Sequence, residues 1–111
     1  DAQIYGISVD TVESHRAWAK ELGGINYPLL SDTEKLVTQA YHVLHPKDGV
    51  ALRATFLVDP EGIIQYSTAC NMNVGRSVEE TYRVLQALRA GRLCPADWNP
   101  GESTGDLRHK Y

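Results

Sequence analysis

Two apolar runs joined by a four-residue turn constrain this chain more than any other feature. Ala54-Thr55-Phe56-Leu57-Val58 and Ile63-Ile64-Gln65-Tyr66-Ser67-Thr68-Ala69 are rich in β-branched and aromatic residues, and Asp59-Pro60-Glu61-Gly62 separates them. Proline presets φ at the second turn position and glycine closes the fourth. The two runs therefore double back on each other as the strands of a hairpin.

The remaining elements read outward from there. Gln3-Ile4-Tyr5-Gly6-Ile7-Ser8-Val9 predicts a buried strand. Asp10 with Glu13 predicts a capping box that opens a helix, with His15, Trp18, Ala19 and Leu22 on its apolar face and Gly23-Gly24 as its stop. Tyr27-Pro28-Leu29-Leu30 is a short extended piece, and Asp32 is expected to cap a second helix that buries Leu36, Val37, Ala40 and Tyr41. His45-Pro46-Lys47-Asp48-Gly49 is a polar loop. Beyond the hairpin, Ser77 with Glu80 predicts another capping box, opening a helix through Val78, Tyr82, Leu85 and Leu88 that ends at Gly91. Cys94-Pro95-Ala96-Asp97-Trp98-Asn99-Pro100-Gly101 reads as an irregular tail with two prolines, and Gly105 to Tyr111 is a polar end. Strand, helix, short strand, helix, hairpin, helix and tail together suit an α/β domain with a mixed sheet.

Charge and composition remove several functional classes. Eleven Lys and Arg against fourteen Asp and Glu leave a net charge of −3, which argues against non-specific binding to nucleic acid. No apolar run approaches the roughly 20 residues that cross a bilayer. Two cysteines in 111 residues make no disulfide scaffold, and functional thiols in a cytosolic protein fit better. The four histidines, His15, His42, His45 and His109, do not form a metal set, and no phosphate loop, Gly-x-Gly-x-x-Gly or Ser-His-Asp pattern is present. No cofactor is expected. His15 is expected as a satisfied core residue and Cys70, at the end of the return strand, as a small buried apolar one. The chain opens on Asp1-Ala2-Gln3-Ile4 without methionine and enters a strand at once, which reads as a cut in a longer protein.

Three segments carry a resemblance. Leu52-Arg53-Ala54-Thr55-Phe56-Leu57-Val58-Asp59-Pro60-Glu61-Gly62-Ile63-Ile64-Gln65 resembles the arginine-bearing strand and hairpin of the two-cysteine peroxiredoxins, especially the alkyl hydroperoxide reductase catalytic subunit of the thiol-specific antioxidant family. Val74-Gly75-Arg76-Ser77-Val78-Glu79-Glu80 is similar to that family's second arginine motif. Cys94-Pro95-Ala96-Asp97-Trp98 is similar to its resolving-cysteine motif. Gly6-Ile7-Ser8-Val9-Asp10 and Tyr27-Pro28-Leu29-Leu30-Ser31-Asp32 look like further family segments, so the likeness covers nearly the whole chain. It implies a thioredoxin-like fold in its peroxiredoxin variant, without the N-terminal strands and the helix of the peroxide-attacking cysteine. Residues 1–91 would be the C-terminal part of that domain and 92–111 a tail with the resolving cysteine. The departure is that the family's Pro-x-x-x-Thr/Ser-x-x-Cys motif is absent from these residues, and neither Cys70 nor Cys94 stands in such a setting. The 111 residues by themselves are therefore expected to be inactive, weakly stable or prone to aggregate, because the family's central strand would be missing beside the Ile4 and Ala54 strands.

The resemblance also assigns roles. The attacking thiol must be a thiolate, and free cysteine titrates near 8.5. Bringing that to about 6.5 takes about 2.7 kcal/mol, while a guanidinium about 4 Å away at an effective dielectric near 20 supplies roughly 4 kcal/mol. Arg53 is the residue implied for this task, and it would also steady charge on the leaving oxygen. Arg76 is implied as an electrostatic support. It lies just before a helix start, where a cation is unfavourable, so a carboxylate or an active-site partner is expected. Cys94 would condense with the sulfenic acid left by peroxide attack, and Trp98 would hold the tail down between cycles. A homodimer, a ring of dimers, and a thioredoxin or flavoprotein as reductant are implied as partners. The contrasting reading is a non-catalytic thioredoxin-like interaction module. A dithiol oxidoreductase using Cys70 and Cys94 fits poorly, since the chain has no Cys-x-x-Cys.

Overall fold

The computed structural model describes residues 2–105. The chain divides into two compact units, Asp1–Leu52 and Arg53–Tyr111.

In the first unit, β1 (Gly6–Ser8) and β2 (Leu29–Ser31) pair in parallel, with Gly6 opposite Leu29 and Ser8 opposite Ser31. The strand predicted from Gln3 to Val9 is thus shorter than expected. Pro28 has no N–H to extend the ladder, and its carbonyl accepts from Gly6 N at 2.9 Å where pairing begins. A Cβ at Gly6 would come within 2.7 Å of Leu29 Cδ2, so a larger residue there would have to displace the Leu29 side chain. Helix α1 (Val12–Glu21) is capped by Thr11, whose Oγ1 accepts from Ser14 N at 3.1 Å. The predicted Asp10–Glu13 box does not form, because Asp10 Oδ2 already accepts from Ser8 Oγ at 2.8 Å. Ser8 donates its one proton there, so His15 Nε2–H donates to the Ser8 oxygen at 2.6 Å. His15 is buried as expected, yet its Nδ1 has no hydrogen-bond partner, so it is only half satisfied. Trp18 and Leu22, predicted on the same apolar face, are 47% and 58% exposed.

Helix α2 is a short piece, Leu36–Ala40. Asp32 holds it from a distance, its carboxylate accepting from Val37 N, Thr38 N and Thr38 Oγ1 at 3.2, 2.7 and 2.7 Å. The hydrogen bond from the Thr38 hydroxyl, more than the backbone N–H groups, keeps the Asp32 carboxyl below the usual aspartate value. Those bonds turn Thr38 inward. The predicted stripe of Leu36, Val37, Ala40 and Tyr41 is exposed instead, and Thr38 is the buried residue of the helix. The polar loop after it closes through Leu52 N donating to Val43 O at 2.8 Å and a bridge between Leu44 and Ala51.

In the second unit, β3 (Arg53–Val58) and β4 (Ile64–Cys70) form the predicted antiparallel hairpin, with a register shift between Leu57 and Val58. Gly62 adopts φ +84°, which a side chain would strain, and its N–H closes the turn on Asp59 O at 3.0 Å. The Asp59 carboxylate accepts from Gln65 Nε2, Ile63 N and Glu61 N, and these bonds, Gln65 first, hold its carboxyl below the usual value. Helix α3 (Val78–Ala90) starts at Ser77, whose Oγ accepts from Glu80 N at 3.1 Å, and stops at Gly91 in the left-handed region. Only half of the predicted box forms, since the Glu80 carboxylate turns to Arg83. The strands form a parallel pair and an antiparallel pair, each a sheet of its own, rather than one mixed sheet. Among the described residues only Val43 and Trp98 are buried apolar side chains.

Candidate functional site

Strand register decides where Arg53 stands. It is the first residue of β3, opposite Cys70, the last residue of β4, and so lies at the open end of the hairpin. It is exposed, and its Nε donates to Met72 O at 3.3 Å, in the stretch that leaves β4. Arg76 reaches the same end from the approach to α3, its Nη1 donating to Ala54 O at 2.7 Å. Of the partners expected for Arg76, a carboxylate or a group of the active site, no carboxylate is found among the described residues; a strand carbonyl, whose partial negative charge faces the cation, takes that place. The hairpin and the approach to α3 thus place both predicted arginines at the open end of the hairpin, Arg76 holding the residue that follows Arg53.

A cavity of about 140 Å³ opens beside Arg76, lined by Thr55, Thr68, Cys70, Arg76, Ser77 and Glu80 among others. Cys70 is half-buried there rather than buried in apolar surroundings as predicted, because β4 turns it toward a wall that also carries hydroxyls and a guanidinium.

Cys94 stands apart from the arginines in the bonds that hold it. It is half-buried and follows Leu93, whose carbonyl accepts from Gly105 N at 2.7 Å, so that residues 93–105 form a loop with a closed neck. Trp98 is the plug of this loop, 5% exposed, with its Nε1–H donating to Glu102 O at 3.0 Å. The Glu102 carboxylate in turn accepts from Asn99 N at 2.6 Å. Trp98 is thus buried and hydrogen-bonded within its own loop.

Arg83 is the residue that motif reasoning missed. Its Nε and Nη2 bind the Glu80 carboxylate at 2.6–3.1 Å, and its Nη1 donates to Trp98 O at 2.9 Å. Hydrogen bonding to Arg83 holds the Glu80 carboxyl below the usual value, and Glu80 in turn raises the guanidinium. The signal was the Glu-x-x-Arg spacing, which puts opposite charges one turn apart on a helix. Among the described residues no three His, Cys, Asp or Glu cluster as metal ligands, and His109 lies outside the described residues.

Comparison with known proteins adds what geometry does not supply. The family described as AhpC/TSA matches residues 1–67. The chain belongs to the AhpC/TSA family. YkuU of Bacillus subtilis (strain 168) is 50% identical over 110 residues, covering 94% of this chain and 61% of that protein. The 2-Cys peroxiredoxin BAS1 of Hordeum vulgare is 46% identical over 114 residues, covering 94% of the chain and 54% of its own length. The reduced 2-Cys peroxiredoxin of Plasmodium vivax superposes with a TM-score of 0.84 at 38% identity, over 92% of this chain and 57% of that one. AhpC of Mycobacterium tuberculosis gives 0.80 at 43% identity, over 89% and 57%. The AhpC/TSA chain in hand therefore spans about three fifths of the length of these relatives, and it is part of a thioredoxin-like domain.

Proposed function

We propose that the full protein containing this chain is a thiol peroxidase that reduces hydrogen peroxide and alkyl hydroperoxides. A cysteine outside these 111 residues, in a Pro-x-x-x-Thr/Ser-x-x-Cys setting, attacks the peroxide as a thiolate. The O–O bond breaks, water or an alcohol leaves, and the cysteine becomes a sulfenic acid. Arg53 favours the thiolate and the developing charge on the leaving oxygen, with Arg76 beside it. Cys94 then forms the disulfide with that cysteine in a second subunit of a homodimer, which associates further into a ring of dimers. A thioredoxin or a flavoprotein returns the disulfide to thiols. The cytoplasm, where thiols stay reduced, is the proposed compartment.

The observation that supports this reading is that two arginines stand at the open end of the hairpin, Arg53 as its first residue and Arg76 bound to the Ala54 carbonyl. Among the described residues both are tied to main-chain oxygens rather than neutralised by carboxylates, which leaves their charge available to a reacting anion. The test is to treat the full-length protein with one equivalent of peroxide and map the disulfide by mass spectrometry. A bond between Cys94 and an upstream cysteine is expected. Absence of an upstream Thr-x-x-Cys from the full coding sequence would sink the enzyme and leave a thioredoxin-like interaction module.

A further inference from the structure

We infer that Arg83 is the positioning residue of the disulfide-forming step: it clamps the Cys94 loop onto α3, and the clamp opens when Cys94 reacts. The inference rests on the reading of Cys94 given above. A guanidinium is planar and presents its donors in a fixed fork. Two edges of Arg83 are taken by the Glu80 carboxylate, with Nη2 at 2.6 Å from Oε1 and Nε at 2.8 Å from Oε2. That pairing sets the plane of the group and aims the remaining Nη1 at Trp98 O, 2.9 Å away. Cys94 therefore sits between two pinned points, the neck at Leu93 and the clamped carbonyl at Trp98. Cys94 and Asp97 are both near enough to Arg83 to add, after Glu80, to the raising of its pKa.

The step that uses the loop balances without any added reagent. The Cys94 sulfur attacks the sulfenic sulfur, an S–S bond forms, the S–O bond breaks, and the departing oxygen leaves as water with the thiol proton. Reaching another cysteine requires Cys94 to leave its place between the two pins. Interactions made only by the docked loop stabilise the dithiol state and not the disulfide. Weakening them must then shift the equilibrium toward the disulfide, by the same linkage that governs any interaction present in one state alone.

The test uses the full-length protein and the variants Arg83→Gln and Arg83→Lys, equilibrated in a thiol–disulfide buffer. Arg83→Gln is expected to raise the disulfide-to-dithiol ratio about tenfold, which lowers the midpoint potential by about 30 mV. Arg83→Lys keeps the charge but not the fork, and its shift should be smaller. Cleavage of residues 93–105 by a protease should quicken in the same order in the reduced proteins. If Arg83→Gln does not fold, Glu80→Gln, which frees the guanidinium plane, should shift the potential in the same direction. An unchanged or raised potential in a folded variant overturns the clamp while leaving the role of Cys94 intact. A wild-type protein that forms no Cys94 disulfide overturns both.

Discussion

Two parts of the second unit hold their functional side chains in opposite ways. Arg53 belongs to a strand, and its partner Cys70 closes the register of the hairpin. Its neighbour Ala54 is paired across the ladder with Ala69 and also takes the Arg76 guanidinium. The Cys94 loop has no ladder. Among the described residues it is tied to the rest of the unit by the neck hydrogen bond, the buried indole and the guanidinium reaching from α3. A ladder opens only when many bonds fail together, whereas a loop tied at a few points opens locally at low cost. The contrast suits a division of work in which charge stays put and a thiol moves.

The largest way to break that contrast is Trp98→Ala. Removing a buried indole costs about 3–5 kcal/mol in comparable sites, and here the loss should fall on the loop alone. Hydrogen exchange is expected to quicken across residues 93–105 and to stay unchanged in β3 and β4; equal loss of protection in the hairpin would erase the distinction. Gly62→Ala is the reciprocal change. At φ +84° a Cβ should cost about 1–2 kcal/mol, weakening protection in β3 and β4 while the loop keeps its own. The smallest effect is acid loosening of the loop. The Glu80 carboxyl titrates below its usual value when paired with Arg83, so its folded-state pKa is depressed. The pairing therefore contributes fully above the unfolded glutamate pKa near 4.3 and fades as pH falls through the lower folded value. Proteolysis of the loop should rise below about pH 4 in the wild type, and a Glu80→Gln variant should show the faster cleavage already at neutral pH.

The elements that could be read from the chain were those with local signals. The Asp59-Pro60-Glu61-Gly62 turn and the Ser77 cap with Gly91 stop need nothing from distant residues, and both stand where expected. The apolar stripe of helix α2 misleads because Asp32 reaches six residues along to Thr38 and outcompetes that stripe for the inward face. The first cap moves from Asp10 to Thr11 because a strand serine, Ser8, already engages the aspartate. Arg53, Arg76 and Cys94 stand out through motif likeness, but their grouping needs coordinates. Strand register puts Arg53 at the open end of the hairpin, a bond to the Ala54 carbonyl brings Arg76 to the same end, and the Arg83 clamp joins α3 to a carbonyl fifteen residues away, which no side-chain pattern records.

The central claim is that Arg53 serves the attack on peroxide and Cys94 the step after it. Stopped-flow measurement of both rate constants in full-length Arg53→Ala and Cys94→Ser tests this most directly. Arg53→Ala should slow peroxide attack about 100-fold, as loss of a charge stabiliser does at comparable sites, and leave disulfide formation from preformed sulfenic acid near the wild-type rate. Cys94→Ser should attack at the wild-type rate and then accumulate sulfenic acid with no disulfide. Equal slowing of both steps by either substitution, or a disulfide that still forms in Cys94→Ser through Cys70, would contradict the account.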